Sequence, residues 1–153
     1  MTIRRMRVGE GKKLAELLYT SVHTLCTKDY SPEELEAWVP KKLDVHKLSR
    51  SLLMNATWVA ELRGKLVGFI CLERDGYVNR LFTHPDYTGR GIATALLDTA
   101  ISWAKRKNIK RIFLAASKTG YGFYLRNGFR VSGIESVERR GVVFENKVME
   151  KFI

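Results

Sequence analysis

Apolar residues change their period several times along the chain, and each change predicts an element. Ile3, Met6 and Val8 stand among arginines and predict a short first strand. Leu14, Leu17, Leu18, Val22 and Leu25 then recur at the three-and-four spacing of a helix over 11–26. Ser31, Pro32 and Glu34 supply the N-cap, first-turn proline and capping-box partner of a second helix, anchored by Leu35 and Trp38 and ended by Pro40. The basic, weakly periodic stretch 39–51 suggests a further short helix. Strand-like runs over 57–62 and 66–72 flank the turn Arg63-Gly64-Lys65, and Asp75-Gly76 leads into a third run over 77–83, together an antiparallel series. Residues 91–107 form a longer helix with a broad apolar face of Ile92, Leu96, Leu97, Ala100, Ile101 and Trp103, and its end, Lys105-Arg106-Lys107, suits a helix C-terminus. A short strand over 111–115, a short helix over 120–126 closed by Asn127-Gly128, and a terminal hairpin over 129–138 and 142–152 complete the order.

This order predicts the α/β class, α+β in some schemes: one domain over 1–153, with a central mixed sheet of about seven strands flanked by helices. The helix over 91–107 is long enough to serve as a crossover between parallel strands.

Of 153 residues 45% are hydrophobic and 28% charged, which fits a packed core and excludes a disordered chain. Lys and Arg number 27 against 16 acidic residues, so the formal net charge of +11 favours anionic partners without naming one. Cys26 and Cys71 are the only cysteines; they read as two buried thiols in a reducing compartment, and the cytoplasm is the expected location. The charged start lacks the apolar core of a signal peptide, and no run approaches the ~18 apolar residues of a membrane span, so no membrane partner is expected. Zinc-like Cys/His spacing and a Walker lysine loop are absent, and no metal is expected.

Chemistry concentrates in Leu81-Phe82-Thr83-His84-Pro85-Asp86-Tyr87-Thr88-Gly89-Arg90-Gly91-Ile92-Ala93-Thr94, where a strand ends and two close glycines open an apolar helix. Gly89 and Gly91 remove side chains where backbone must approach a ligand, and first-turn amides point outward without helical acceptors. The segment reads as an anion cradle for a pyrophosphate, with Arg90 adding charge and Thr94 a hydroxyl; a plain glycine-rich turn is the alternative. It is not a dinucleotide fingerprint, which needs a third glycine and a later acidic residue.

Thr88, Gly89, Arg90, Gly91, Ile92 and Ala93 resemble the acyl-CoA-binding motif of the GNAT superfamily of N-acetyltransferases: Gln or Arg, two residues, Gly, one residue, then Gly or Ala. Thr88 departs at the first position. Gly122-Phe123-Tyr124-Leu125-Arg126-Asn127-Gly128-Phe129 is similar to the family's Phe-Tyr, three residues, Gly-Phe signature, and the element order matches over almost the whole chain. Within the superfamily, 31–38 and 77–93 look more like the YafP-type bacterial acetyltransferases. The resemblance implies a sheet splayed between its fourth and fifth strands and acetyl-CoA as acetyl donor. It places Leu81, Phe82, Thr83, Thr88, Gly89, Arg90, Gly91, Ile92, Ala93, Thr94, Ser117 and Tyr124 along the cofactor, with Leu81, Phe82 and Ala115 shaping a slot for pantetheine. Ser117 also reads as a helix cap.

The implied reaction is direct attack of a primary amine on the acetyl group. Tyr124 would protonate the departing thiolate, and a backbone amide near Leu81 or Phe82 would stabilise the oxyanion. Many relatives carry a glutamate on the fourth strand as base; here that position is Asn79, which cannot be one. Glu73 is the nearest substitute, with Glu135 and Glu138 as further carboxylates, while His84 reads as structural. The acceptor is a small-molecule amine or peptide in an aromatic-lined cleft, with Tyr19, His23, Tyr30, Trp38, Trp58, Tyr77, Tyr121 and Phe144 as candidate walls, and a homodimer is compatible with the size. Two other classes remain. A non-catalytic acyl-CoA-binding relative is favoured by Thr88, Ser117, Gly120 and Asn79. A nucleic-acid-binding protein is favoured by the charge but disfavoured by the lack of any reading element.

Overall fold

The computed structural model describes residues 1–153. Strand β1 (Thr2–Arg5) is followed by helices α1 (Gly11–Leu25), α2 (Pro32–Trp38) and α3 (Val45–Met54), then by β2 (Ala56–Leu62), β3 (Lys65–Leu72) and β4 (Val78–Thr83). A 3-10 turn over Pro85–Tyr87 leads into α4 (Ile92–Arg106), β5 (Arg111–Ala116), α5 (Tyr121–Arg126), β6 (Arg130–Arg139) and β7 (Val142–Phe152). The capping box at α2 forms as the sequence predicts: Ser31 Oγ accepts from the Glu34 amide at 3.1 Å and Glu34 Oε1 from the Ser31 amide at 2.8 Å. Helix α3 starts later than expected, behind Asp44, whose carboxylate accepts from the Lys47 amide at 3.0 Å.

The seven strands form two sheets, β1-β2-β3-β4 and β5-β7-β6, and every ladder is antiparallel. The sheets meet at one parallel bridge, Tyr77 with Phe113, where the Phe113 amide donates to Gly76 O at 3.0 Å. The mixed sheet expected from sequence is therefore a split one, with its parallel pairing confined to that bridge. Gly76, at φ 97, makes the bridge possible, because a Cβ there would overlap the Arg111 carbonyl oxygen. Beyond the bridge the strands part. In the β3–β4 ladder Cys71 opposes Arg80 and Leu72 opposes Val78, so Asn79 has no partner, and a bulge of this kind bends its strand.

Strands β2 and β3 are buried on both faces, which explains their almost unbroken apolar sequence. Trp58, Ala60, Ile70 and Leu72 pack with Leu96, Leu97 and Ala100 of α4. Val59, Phe69 and Cys71 pack on the opposite side with Leu14, Leu18 and Val22 of α1 and Leu48 and Leu52 of α3. Gly68 sets how closely α4 approaches the sheet: a Cβ there would lie 2.9 Å from Ile92 Cγ2, 3.1 Å from Leu96 Cδ1 and 3.2 Å from Phe82 O. Ile92 is the first residue of α4, so the glycine in β3 seats the start of that helix. Cys26 and Cys71 are both buried and free. No helix is long and apolar enough to cross a membrane.

Candidate active site

Gly91 caps α4 in the left-handed region, at φ 78 and ψ 11, and makes no side-chain cap bond. The first helical bond runs from the Ala95 amide to Gly91 O at 3.0 Å, so the amides of residues 92–94 have no acceptor in the helix. Gly89 also has positive φ, 74, and a Cβ at either glycine would meet no atom within 4 Å. Open space thus lies over a row of unpaired donors at the positive end of a helix dipole, the arrangement that binds an anion.

A cavity of about 620 Å³ extends from this helix start to the split between the sheets. Leu81, Phe82, Thr83, Thr88, Gly89, Gly91, Ile92, Ala93, Thr94, Ser117 and Tyr124 all line it. Arg90 does not; its guanidinium lies 5.1 Å from the centre of the Tyr87 ring, on the exposed side. Thr88 donates to Pro85 O at 3.3 Å, which ties its side chain to the loop. His84 is structural in the same way, its Nδ1 accepting from the Asp86 amide at 3.1 Å. The slot has its own free backbone. Since the His84 amide donates to Val67 O in β3, the two-residue period of a strand turns the backbone groups of Leu81 and Thr83 away from β3, toward the split.

A second cavity, about 540 Å³, opens on the other side of the split. Trp38, Leu81, Phe82, Ser117, Gly120 and Tyr124 line both cavities, so Tyr124 stands where they meet. Its ring is buried edge-on against Phe123 and Phe129, with centroids 5.2 and 5.5 Å away. Helix α5 is closed beneath it by the Phe129 amide donating to Tyr124 O at 3.0 Å, with Gly128 at φ 86 making the turn. Burial, with a small addition from Tyr77, pushes the Tyr124 phenol well above its ordinary value, so it stays protonated throughout the neutral and alkaline working range. Ser117 Oγ accepts from the Gly120 amide at 3.0 Å and so caps the turn into α5. The loop before α2 is lashed over this region: the Lys118 amide donates to Tyr30 Oη at 2.9 Å, and Thr119 donates to Asp29 at 2.7 Å.

The carboxylates are distributed otherwise than the sequence order suggested. Glu73 lines neither cavity, and its Oε2 accepts from Asn79 Nδ2 at 2.8 Å; Glu135 lines the second cavity, and Glu138 does not. Of the aromatic candidates, Tyr30, Trp38, Tyr77 and Phe144 line that cavity, whereas Tyr19, His23, Trp58 and Tyr121 do not. Sequence reasoning missed Arg80, which also lines it and whose Nη1 donates to Asn79 Oδ1 at 2.7 Å. A cation inside a strand with little exposure, Val78–Thr83, was the available signal. No group of His, Cys, Asp and Glu is arranged to hold a metal ion.

The model of the GNAT acetyltransferase domain matches residues 26–151. The chain is 32% identical over 147 residues to the uncharacterized N-acetyltransferase YafP of Escherichia coli, covering 96% of this chain and 93% of that one. Among solved structures, it is similar to a GCN5-related N-acetyltransferase from Rhodopseudomonas palustris, with a TM-score of 0.96 at 28% identity over 99% of this chain and 95% of that one. It is also similar to the PaiA N-acetyltransferase of Thermoplasma acidophilum in complex with coenzyme A, with a TM-score of 0.83 at 26% identity over 99% and 98%. The fold that carries the cradle and the two cavities is thus shared with known acetyltransferases, and the chain belongs to the GNAT family as an acetyl-CoA-dependent N-acetyltransferase.

Proposed function

We propose that the chain transfers the acetyl group of acetyl-CoA to a primary amine by direct attack, with Tyr124 as the general acid. The observation that carries this reading is that Tyr124 lines both cavities at their junction. The residues fit the donor. The free amides of 92–94 and the open space over Gly89 and Gly91 suit the diphosphate of CoA, and the turned-out backbone of Leu81 and Thr83 suits the pantetheine amides, which add to β4 as a strand adds to an edge. Bound there, acetyl-CoA supplies a thioester carbon that an amine can attack.

The Leu81 amide faces the charge that develops on the carbonyl oxygen. Two carboxylates line the acceptor cavity; Asp44 caps α3, so Glu135 takes the amine proton, directly or through water. As the C–N bond forms and the C–S bond breaks, the Tyr124 hydroxyl gives its proton to the departing sulfur and recovers one from solvent. Burial keeps the proton on the phenol at neutral pH, so it is available when the thiolate departs. Glu73 instead holds Asn79, a structural part. Two buried thiols suit a reducing, cytoplasmic setting.

Calorimetric titration with acetyl-CoA, with ATP as control, followed by an amine screen tests the reading. CoA-selective binding with acetyl transfer supports it. Selective binding without transfer to any amine would leave a binding protein in its place.

A further inference from the structure

We propose that the acceptor is a small primary amine carrying its own anionic group, a carboxylate or a phosphoryl, and that Arg80 receives that group inside the acceptor cavity. This deepens the acetyltransferase reading and rests on it.

The cavity is lined by four basic side chains, Lys47, Arg80, Arg139 and Arg140, against two acidic ones, Asp44 and Glu135. Asp44 is committed to capping α3. Arg140 donates to Ala37 O at 2.7 Å, so part of its hydrogen-bonding capacity is spent across the cavity wall. Arg80 differs from both. It is half-buried, and it forms no ion pair: every salt bridge in the chain involves other residues.

One edge of the Arg80 guanidinium is held by Asn79, whose oxygen accepts from Nη1 at 2.7 Å while its nitrogen donates to Glu73 at 2.8 Å. The amide thus stands between the Glu73 carboxylate and the guanidinium and engages one of its donors. A guanidinium has five N–H donors, so a planar fork is left for a carboxylate or phosphoryl. Burial pushes Arg80 below its ordinary value and Arg139 adds repulsion, while Glu73 acts the other way; with four basic side chains against two acidic ones, the cavity lining is net positive. A partly desolvated cation without a partner is costly, and an anionic ligand removes that cost.

Glu135 supplies the opposite sign in the same cavity and can pair with an ammonium group. An amine that carries an anion matches both. A polyamine matches only Glu135 and meets the repulsion of the basic side chains. The cavity volume, about 540 Å³, suits a small molecule.

The test is steady-state turnover of matched amines by the whole chain: 4-aminobutyrate against butylamine, phosphoethanolamine against ethanolamine, and spermidine as the polycation. We expect kcat/KM for the anionic member to exceed that for its neutral partner by about 10-fold or more, and the Arg80→Gln variant to bring that ratio toward one, mainly through KM. Acetyl-CoA titration of the same variant reports whether the donor side is still folded; if it is not, Arg80→Lys, which keeps the charge but not the fork, takes its place, and an unchanged ratio in a folded variant would overturn the assignment to Arg80. The pair with the larger ratio tells whether carboxylate or phosphoryl is the preferred anion. Neutral amines or spermidine used as well as the anionic ones would overturn this inference and leave the acetyltransferase reading standing. Selective CoA binding with no turnover of any amine would overturn both.

Discussion

The two sides of the split are built by different means. The donor side is mostly backbone: the helix start of α4, the glycines before it and the outward edge of β4, all within residues 81–94. The acceptor side is mostly side chains, and they converge from Trp38 in α2, Lys47 in α3, Arg80 in β4, Tyr124 in α5 and Glu135 in β6. Backbone recognition needs only that a short segment keep its shape, so it leaves a compact local pattern. Side-chain recognition needs distant residues to meet, so each residue can change without marking its neighbours. A diphosphate cradle and a variable acceptor cavity are served by these two solutions respectively.

This contrast predicts effects that separate by side. Tyr124→Phe, at the junction, removes a proton and little else; turnover should fall on the order of 100-fold while acetyl-CoA affinity stays within a few fold, measured by steady-state kinetics and calorimetry. Equal turnover in the variant would remove the acid role. The alkaline limb of the wild-type profile should not report Tyr124 below the range where its raised pKa lies.

Gly91→Val strikes the donor side. No atom stands within 4 Å of its Cβ, so the penalty comes from φ 78, about 1–2 kcal/mol, and from a side chain entering the cradle. Acetyl-CoA binding should weaken on the order of 10-fold, read by titration. Unchanged affinity would mean that the anion lies elsewhere.

Gly68→Ala acts one layer below. Because the new Cβ must displace Ile92 and Leu96, stability should drop about 1–3 kcal/mol in denaturant unfolding, with a smaller loss of acetyl-CoA affinity as the start of α4 shifts. The smallest effect lies far from both cavities. Arg4 donates to Glu10 at 2.7 and 3.0 Å, and that hydrogen bond holds the Glu10 carboxyl below its ordinary value. A carboxyl with a lowered folded pKa stabilises the fold above its unfolded pKa, and that contribution is lost as pH falls through the folded one. Arg4→Met should therefore cost no more than about 1 kcal/mol at neutral pH, and the difference from wild type should shrink below about pH 4.

Much of the secondary structure was legible. The capping box of α2 follows from Ser31, Pro32 and Glu34, and the buried face of α4 follows from Ile92, Leu96, Leu97 and Ala100. The division of the sheet was legible only through resemblance, since the bulge at Asn79 leaves no local pattern and the glycine at 76 looks like any turn glycine until Arg111 is packed against it. Among the carboxylates, Glu73 stood nearest in sequence to the replaced position, yet a hydrogen bond to Asn79 occupies it, while Glu135 arrives from another sheet. Closeness along the chain does not measure closeness in the cavity.

Element order, helix caps, the glycine-bearing helix start and the signature around Tyr124 were determined by sequence, because each depends on contacts within a few residues. Tertiary structure alone decided that Tyr124 joins two cavities, that the Arg90 guanidinium packs on the Tyr87 ring and that Arg80 lines the acceptor cavity with no ion-pair partner. Those facts depend on where two sheets separate, and that separation arises from packing between residues far apart in the chain.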